Sequence, residues 1–172
     1  MPEMSINALK ANLSNPQRSY LWEILIPAPI GDGEVQTYTL RAQSTVIPGR
    51  KQGQIKIPFK QTPGVAIPGK LEFDQSWACT FIEGEDQAVW TAINSWMQKI
   101  VNVTTGRGEG DNNVKTDVFL TLLDVPGDIT LKLKLKGCYV MELGTVELTY
   151  AEGEGLVKFP VTFSFDYVEQ GT

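Results

Sequence analysis

Five residues, Gly106-Arg107-Gly108-Glu109-Gly110, have the composition of a phosphate cradle, in which glycine N–H groups converge on an anion. A cradle of that kind needs a strand before it and a helix N-terminus after it. Here a helical pattern precedes the glycines and a strand pattern follows, so the segment reads as a surface loop. Carboxylates cluster at Glu83, Glu85 and Asp86 and again at Glu152 and Glu154, residue types suited to acid–base work or calcium. Their spacing fits neither a calcium loop nor a glycosidase pair; a helix start explains the first cluster and a turn the second. Lys132, Lys134 and Lys136 alternate as a basic row that a polyanion could follow. With no aromatics interleaved on the same face, and Glu142 and Glu147 close by, the row reads as a solvated face. Trp77, Trp90 and Trp96 would suit a ligand box, yet each falls at a core position of its element. The two cysteines, Cys79 and Cys138, lie inside strand patterns and read as buried reduced thiols. Histidine is absent, which removes the commonest general base and metal ligand together. No catalytic, metal or cofactor constellation is left, and the expectation is a non-enzyme without cofactors.

The elements that carry these residues are mostly strands. Tyr20, Trp22, Ile24 and Ile26 share one face of a strand over Ser19–Ile26, with Leu21 and Leu25 covering the other. Pro27, Pro29 and Gly31-Asp32-Gly33 end it, and a second strand is expected from about Val35 to Ser44. Leu71, Phe73, Trp77, Cys79 and Phe81 alternate along the next strand. Val89, Trp90, Ile93, Trp96, Met97 and Ile100 then recur at helical spacing, predicting one amphipathic helix over about 85–100, with Glu85 and Asp86 in its first turn. Further strands are expected at Lys115–Asp124, from Ile129 through a possible bulge at Gly137 to Leu143, at Val146–Tyr150, and at Val157–Val168. Pro160 predicts an edge position or a bulge in the last of these. The pattern is mainly β: a two-sheet antiparallel β-sandwich or partial barrel with one flanking α-helix.

Between the second and third strands lies a long insert, about 46–70, read as an extended loop. It is bracketed by Val46-Ile47-Pro48-Gly49-Arg50 and Ala66-Ile67-Pro68-Gly69-Lys70, with Gln54-Ile55-Lys56-Ile57-Pro58-Phe59 between them. A domain of 172 residues has little spare core for such an arm, so its apolar residues point to a partner chain. The residues taken as the contact arm are Pro48, Gly49, Arg50, Ile55, Ile57, Phe59, Pro63, Ile67 and Pro68. Residues 1–18 read as an N-terminal arm, with an Ile6-Leu9-Leu13 stripe, and 19–172 as a single domain. Hydrophobic content of 42% and charged content of 20% fit a globular chain. No apolar run is long enough for a membrane-spanning helix, and the first residues lack the pattern of a secretory signal. A net charge of −5 without a basic block disfavours wrapping of duplex DNA.

One family has these residues in this order: Ser-Tyr-Leu-Trp-Glu-Ile (Ser19–Ile24), Leu-Arg-Ala-Gln-Ser-Thr-Val-Ile-Pro-Gly (Leu40–Gly49), Ile-Lys-Ile-Pro-Phe-Lys (Ile55–Lys60), Leu-Glu-Phe-Asp-Gln-Ser-Trp (Leu71–Trp77), the helix with Trp90 and Trp96, and Phe-Ser-Phe-Asp-Tyr-Val-Glu (Phe163–Glu169). Over Ser19–Glu169 the chain resembles the tail tube protein of contractile-tailed bacteriophages. The resemblance implies a β-sandwich with one helix, in which six copies close into rings and the rings stack into a tube. Its partners would be other copies of itself, the tail sheath protein, baseplate and tail terminator proteins, and the tape-measure protein and genomic DNA that pass through the lumen. The expected location is the virion tail, with assembly in the host cytoplasm. A baseplate-proximal tube initiator and the inner tube of a phage-derived contractile injection system share that pattern and stay open. From a different class, a monomeric β-sandwich binding module using Gly106–Gly110 as its ligand loop also stays open.

Overall fold

Alternating apolar residues produce antiparallel sheets, and a computed structural model describes them over residues 6–13, 15–27, 39–148, 150 and 155–171. The strands are β1 (Trp22–Leu25), β2 (Ala42–Thr45), β3 (Arg50–Phe59), β4 (Thr62–Phe73), β5 (Ser76–Ile82), β6 (Thr116–Leu123), β7 (Ile129–Leu143), β8 (Lys158–Ser164) and β9 (Tyr167–Gly171). The helices are α1 (Ile6–Asn12), α2 (Ala88–Ile100) and the single turn α3 (Asp111–Val114). β7 is long enough to belong to two sheets. Its first half pairs with β6 and β9, and β1 extends that layer beyond β6. Its second half pairs with β8, followed by β5 and β2. Among the described residues these layers form no closed barrel; they pack as a β-sandwich joined along β7.

Gly137 is the joint. Thr116 pairs with Cys138 but Val118 pairs with Leu135, so β7 spends three residues where β6 spends two. The bulge reverses the facing, and Leu135 on one side and Cys138 and Val140 on the other are all buried. Gly137 has φ +65°, and a Cβ there would run into the Asp166 side chain. Asp166 lies in the corner between β8 and β9, where its N–H donates to Lys136 O at 2.9 Å. The single last strand expected from Val157 to Val168 is therefore two strands. Phe159, Val161, Phe163 and Phe165 share the buried face, whereas Tyr167, beyond the corner, is exposed. Pro160 is not on an edge strand, since β8 lies between β5 and β7. It sits just past the last β7 pair, Leu143 with Val161, where its carbonyl accepts from the Gly144 N–H at 2.8 Å and its missing N–H falls at the end of the ladder with β7.

One core fills the sandwich. Trp77, Phe81, Phe159, Phe163, Ile24, Leu120 and Leu135 reach it from the sheets, and Val89, Ile93 and Trp96 from α2. Each contributes about 1.5–3 kcal/mol by leaving water. The Trp96 ring packs tilted against Phe163, with centroids 6.0 Å apart, and its indole N–H donates to Val114 O at 2.6 Å.

Several boundaries differ from expectation for identifiable reasons. α2 starts at Ala88, so Glu85 and Asp86 precede it; the carboxylate that serves its first turn is Glu83, which accepts from the Trp90 N–H at 2.7 Å. β1 is short, and Glu23 and Leu25 are exposed, because the outer face of that layer has no covering layer among the described residues. Residues 39–41 form a helical turn and β2 starts only at Ala42, while Val35 to Tyr38 and the turn at Pro29 and Gly31–Gly33 lie outside the described residues. The strand from Leu71 to Phe81 breaks at Asp74-Gln75, with Gln75 at φ 49°. No strand forms over 144–148: Leu148 is exposed, and only Val146 packs against the core. Helices α1 and α3 join α2, and the Ile6, Leu9 and Leu13 stripe on α1 is exposed. No helix among the described residues is long and apolar enough to cross a membrane.

Candidate assembly surface

The insert is a ribbon. β3 and β4 pair only with each other, from Arg50 opposite Phe73 to Phe59 opposite Thr62, in place of an extended loop. Both strands are edges, so Pro58, Pro63 and Pro68 can be accommodated without breaking a sheet interior. Gly53 and Gly69 face each other closely where the register shifts; a Cβ on either would meet opposing backbone at 3.0 Å. The root is held by the Trp77 indole, which donates to Val46 O at 2.9 Å, and by Thr45 donating to Ala78 O at 3.3 Å. From there nine residue steps carry Phe59 roughly 30 Å from Arg50.

Cross-strand register puts Ile55 opposite Ile67 and Ile57 opposite Val65. Those four and Phe59 therefore share one face, and all are exposed, Phe59 at 61%. Arg50, Gln54 and Lys56 occupy the other face. Of the residues expected to form the contact arm, Gly49, Arg50, Ile55, Ile57, Phe59, Pro63, Ile67 and Pro68 are exposed on the ribbon or its root, and Pro48 is half-buried at the root. A lone two-stranded ribbon is marginal in water, so an uncovered apolar face on one this long calls for a surface to lie against. Charge marks it further. Arg50, Lys51, Lys56, Lys60 and Lys70 stand against Glu72 alone, a net charge of +4; a chain of −5 thus carries −9 on the remainder.

A second uncovered apolar feature lies beside α2. Trp90, Val146, Leu148, Leu156 and Phe159 line an open groove of about 490 Å³, with Glu83 and Glu85 at its edge. Trp90 is 37% exposed and Leu156 66%, so Trp90 is a groove residue, contrary to the core position its helical spacing suggests. The reason is that α2 sinks only its Val89, Ile93 and Trp96 edge. Glu83 is tied down by Arg41 Nη1 at 3.3 Å and by the Trp90 N–H, and Asp86 receives two 2.7 Å bonds from Arg41. The Arg41 bond holds the Asp86 carboxyl below the usual carboxylate range. Glu85 has no ion-pair partner among the described residues.

The other candidates resolve into structural roles. The Gly106–Gly110 segment folds back on the end of α2: Glu109 N–H donates to Lys99 O at 2.9 Å, and Gly108 lies so close to Ile100 O that no Cβ would fit. It satisfies a carbonyl at the helix C-terminus, and its glycines serve that approach. The lysine row is half-buried. Lys132 and Lys134 lie 5.2 and 5.3 Å over the Phe119 ring, and Lys134 and Lys136 pair with Asp117 at 3.1 and 3.0 Å. The aromatic missing from the lysine face of β7 comes from β6 next door. Burial pushes both the Cys79 and Cys138 thiols up to about 12, which leaves them unreactive. Among the described residues no three metal-ligating side chains converge; Glu152 and Glu154 lie outside them.

No protein-family model matches the sequence. A tail tube protein from Serratia phage KSP90 is 25% identical over 149 residues, 83% of this chain and 82% of the relative. The chain is a homologue of a phage tail tube protein. Solved structures agree on the fold. The sheath–tube complex of an extracellular contractile injection system, PVC, contains a chain with TM-score 0.66 and 12% identity, matched over 97% of both chains. The tube-terminating cap of the anti-feeding prophage gives TM-score 0.66 at 14% identity over 91% of both. The PVC sheath/tube terminator gives TM-score 0.67 at 13% identity, covering 91% of this chain and 97% of that one. The β-sandwich with its flanking helix is thus the fold of contractile-system tube and terminator chains.

Proposed function

We propose that this protein is a structural subunit of a phage tail tube, in which six copies close into a ring and rings stack inside a contractile sheath. The observation that carries the reading is the basic ribbon with an uncovered apolar face, projecting from a fold shared with tube and terminator chains. Ring closure and stacking need one surface that reaches and a different one that receives, a head-to-tail contact. Edge strands such as β1 and β2 gain partners when neighbouring sandwiches join, which removes the liability of exposed edges. The arm residues from Pro48 to Pro68 make the inter-subunit contact, and residues 1–18 act as a second arm. Sheath, baseplate and terminator proteins contact the outside and ends; tape-measure protein and then DNA occupy the lumen, in a body whose −9 charge discourages DNA from sticking. The role is mechanical, with no reaction catalysed, in the virion tail after assembly in the host cytoplasm.

Because the solved neighbours include injection-system tubes, an inner tube of such a device is the second reading. Negative-stain microscopy of the concentrated protein tests both: rings or hollow tubes are expected, and a persistent monomer defeats them. Joining Gln52 to Leu71 through an Asn-Gly turn removes the ribbon while keeping its basal pair. That variant should keep its circular dichroism and lose polymerisation; normal tubes from it would remove the ribbon from assembly.

A further inference from the structure

The ribbon needs an apolar receiving surface with negative charge at its margin, and the groove beside α2 has both properties. We propose that this groove receives the ribbon of a neighbouring copy, with Ile57 and Phe59 entering between Trp90 and Leu156. The proposal rests on the tube-subunit reading and names the surface at which that reading's contact is made. The ribbon does not reach the groove of its own chain, since Ile57, Phe59, Trp90 and Leu156 are all exposed together. The groove volume, about 490 Å³, lies in the range that buries compact apolar groups (roughly 300–1,000 Å³). Its open side suits an inserted edge of ribbon better than an enclosed small molecule.

Charge selects between possible occupants. The ribbon brings Lys56 and Lys60 beside its apolar residues; the groove offers Glu85 at its edge, and Glu147 borders the adjoining hollow. Neither acid has an ion-pair partner among the described residues, whereas Arg41 already holds Glu83 and Asp86. The apolar stripe of α1 brings a single lysine, Lys10, and matches the acidic margin less well. Since ribbon and groove are different surfaces of one chain, each copy can receive one neighbour and engage another, which generates a ring or a filament.

Disulfide trapping tests this in the full-length protein, because buried Cys79 and Cys138 supply a silent background. Phe59→Cys and Leu156→Cys chains, mixed, assembled and oxidised, should give a covalent dimer that neither gives alone. The double variant should give a ladder of higher multimers. If particles form while the Leu156→Cys thiol still alkylates freely, the groove faces another partner and the groove assignment falls, leaving the tube reading intact. Peptide mapping that finds the groove thiol joined to α1 or to a second groove has the same consequence. If the wild-type protein stays monomeric at high concentration, the tube reading falls and the groove assignment with it. As a second readout, Leu156→Glu, at an exposed position, should fold normally and raise the threshold concentration for assembly at least tenfold. An unchanged threshold overturns the proposal.

Discussion

Asp117 sits where two lysines and a backbone N–H converge, and its titration follows from that setting. Desolvation pushes its carboxyl up, but Lys136, Lys134 and the Gly137 N–H together outweigh it, so the group titrates below the usual carboxylate range. A depressed folded-state pKa contributes stability above the unfolded value, about 3.9, and the contribution is lost as pH falls through the folded one. Asp117→Asn should therefore cost up to about 1 kcal/mol at pH 7, a modest figure because the side chain is 35% exposed. The difference from wild type should hold from pH 7 to about 5 and shrink below about 4. Urea titrations at both ends of that range measure it; a difference undiminished at pH 2.5 would contradict the assigned cause. In the sequence the Lys132, Lys134 and Lys136 row was legible as one face of a strand. Its covering by Phe119 and Asp117 was not, because those come from β6, and the register that sets Phe119 opposite Lys134 is a tertiary property.

Among the elements, those with a strong local period were legible and those set by their neighbours were not. The alternation of β6, β7 and β8, the Gly137 bulge and the body of α2 follow from side-chain spacing. The start of α2 does not, because Glu83 caps it from outside the helix, and residues Glu85 to Gln87 have compositions that fit a first turn equally well. The ribbon was legible as an arm through its Pro-Gly corners. Its second strand was obscured by Pro63, Gly64, Pro68 and Gly69, which suit a loop as well as an edge strand with shifted register. The split between β8 and β9 was hidden because Phe165 and Tyr167 continue the alternation across the Asp166 corner. That corner makes a prediction of its own. Gly137→Ala forces a side chain into the left-handed region and against Asp166, and should destabilise the sandwich by about 1–3 kcal/mol. Chemical denaturation measures this; an effect below ~0.3 kcal/mol would mean the joint between the sheets tolerates a Cβ, and that its geometry is not fixed by glycine.

For the whole molecule, the separation of charge into a +4 ribbon and a −9 remainder has a kinetic consequence. In the proposed contact, opposite charges on the reaching and receiving surfaces steer encounters between copies, and salt screens that steering over about 10 Å at 0.1 M. The proposed contact is apolar once made, with Ile55, Ile57, Phe59, Val65 and Ile67 leaving water, and that part is strengthened rather than weakened by sulfate or phosphate. Rate and yield should therefore separate. Raising sodium chloride from 20 to 500 mM should slow the growth phase of light scattering several-fold while leaving the final yield of assembled particles nearly unchanged. Lys56→Gln combined with Lys60→Gln should slow assembly at low salt and flatten its salt dependence, since it removes two of the five basic groups and no apolar one. A rate indifferent to salt in the wild type would show that the charge separation does not act in assembly. If yield collapsed together with rate, ion pairs rather than apolar burial would hold the copies together, and the exposed face of the ribbon would need another occupant.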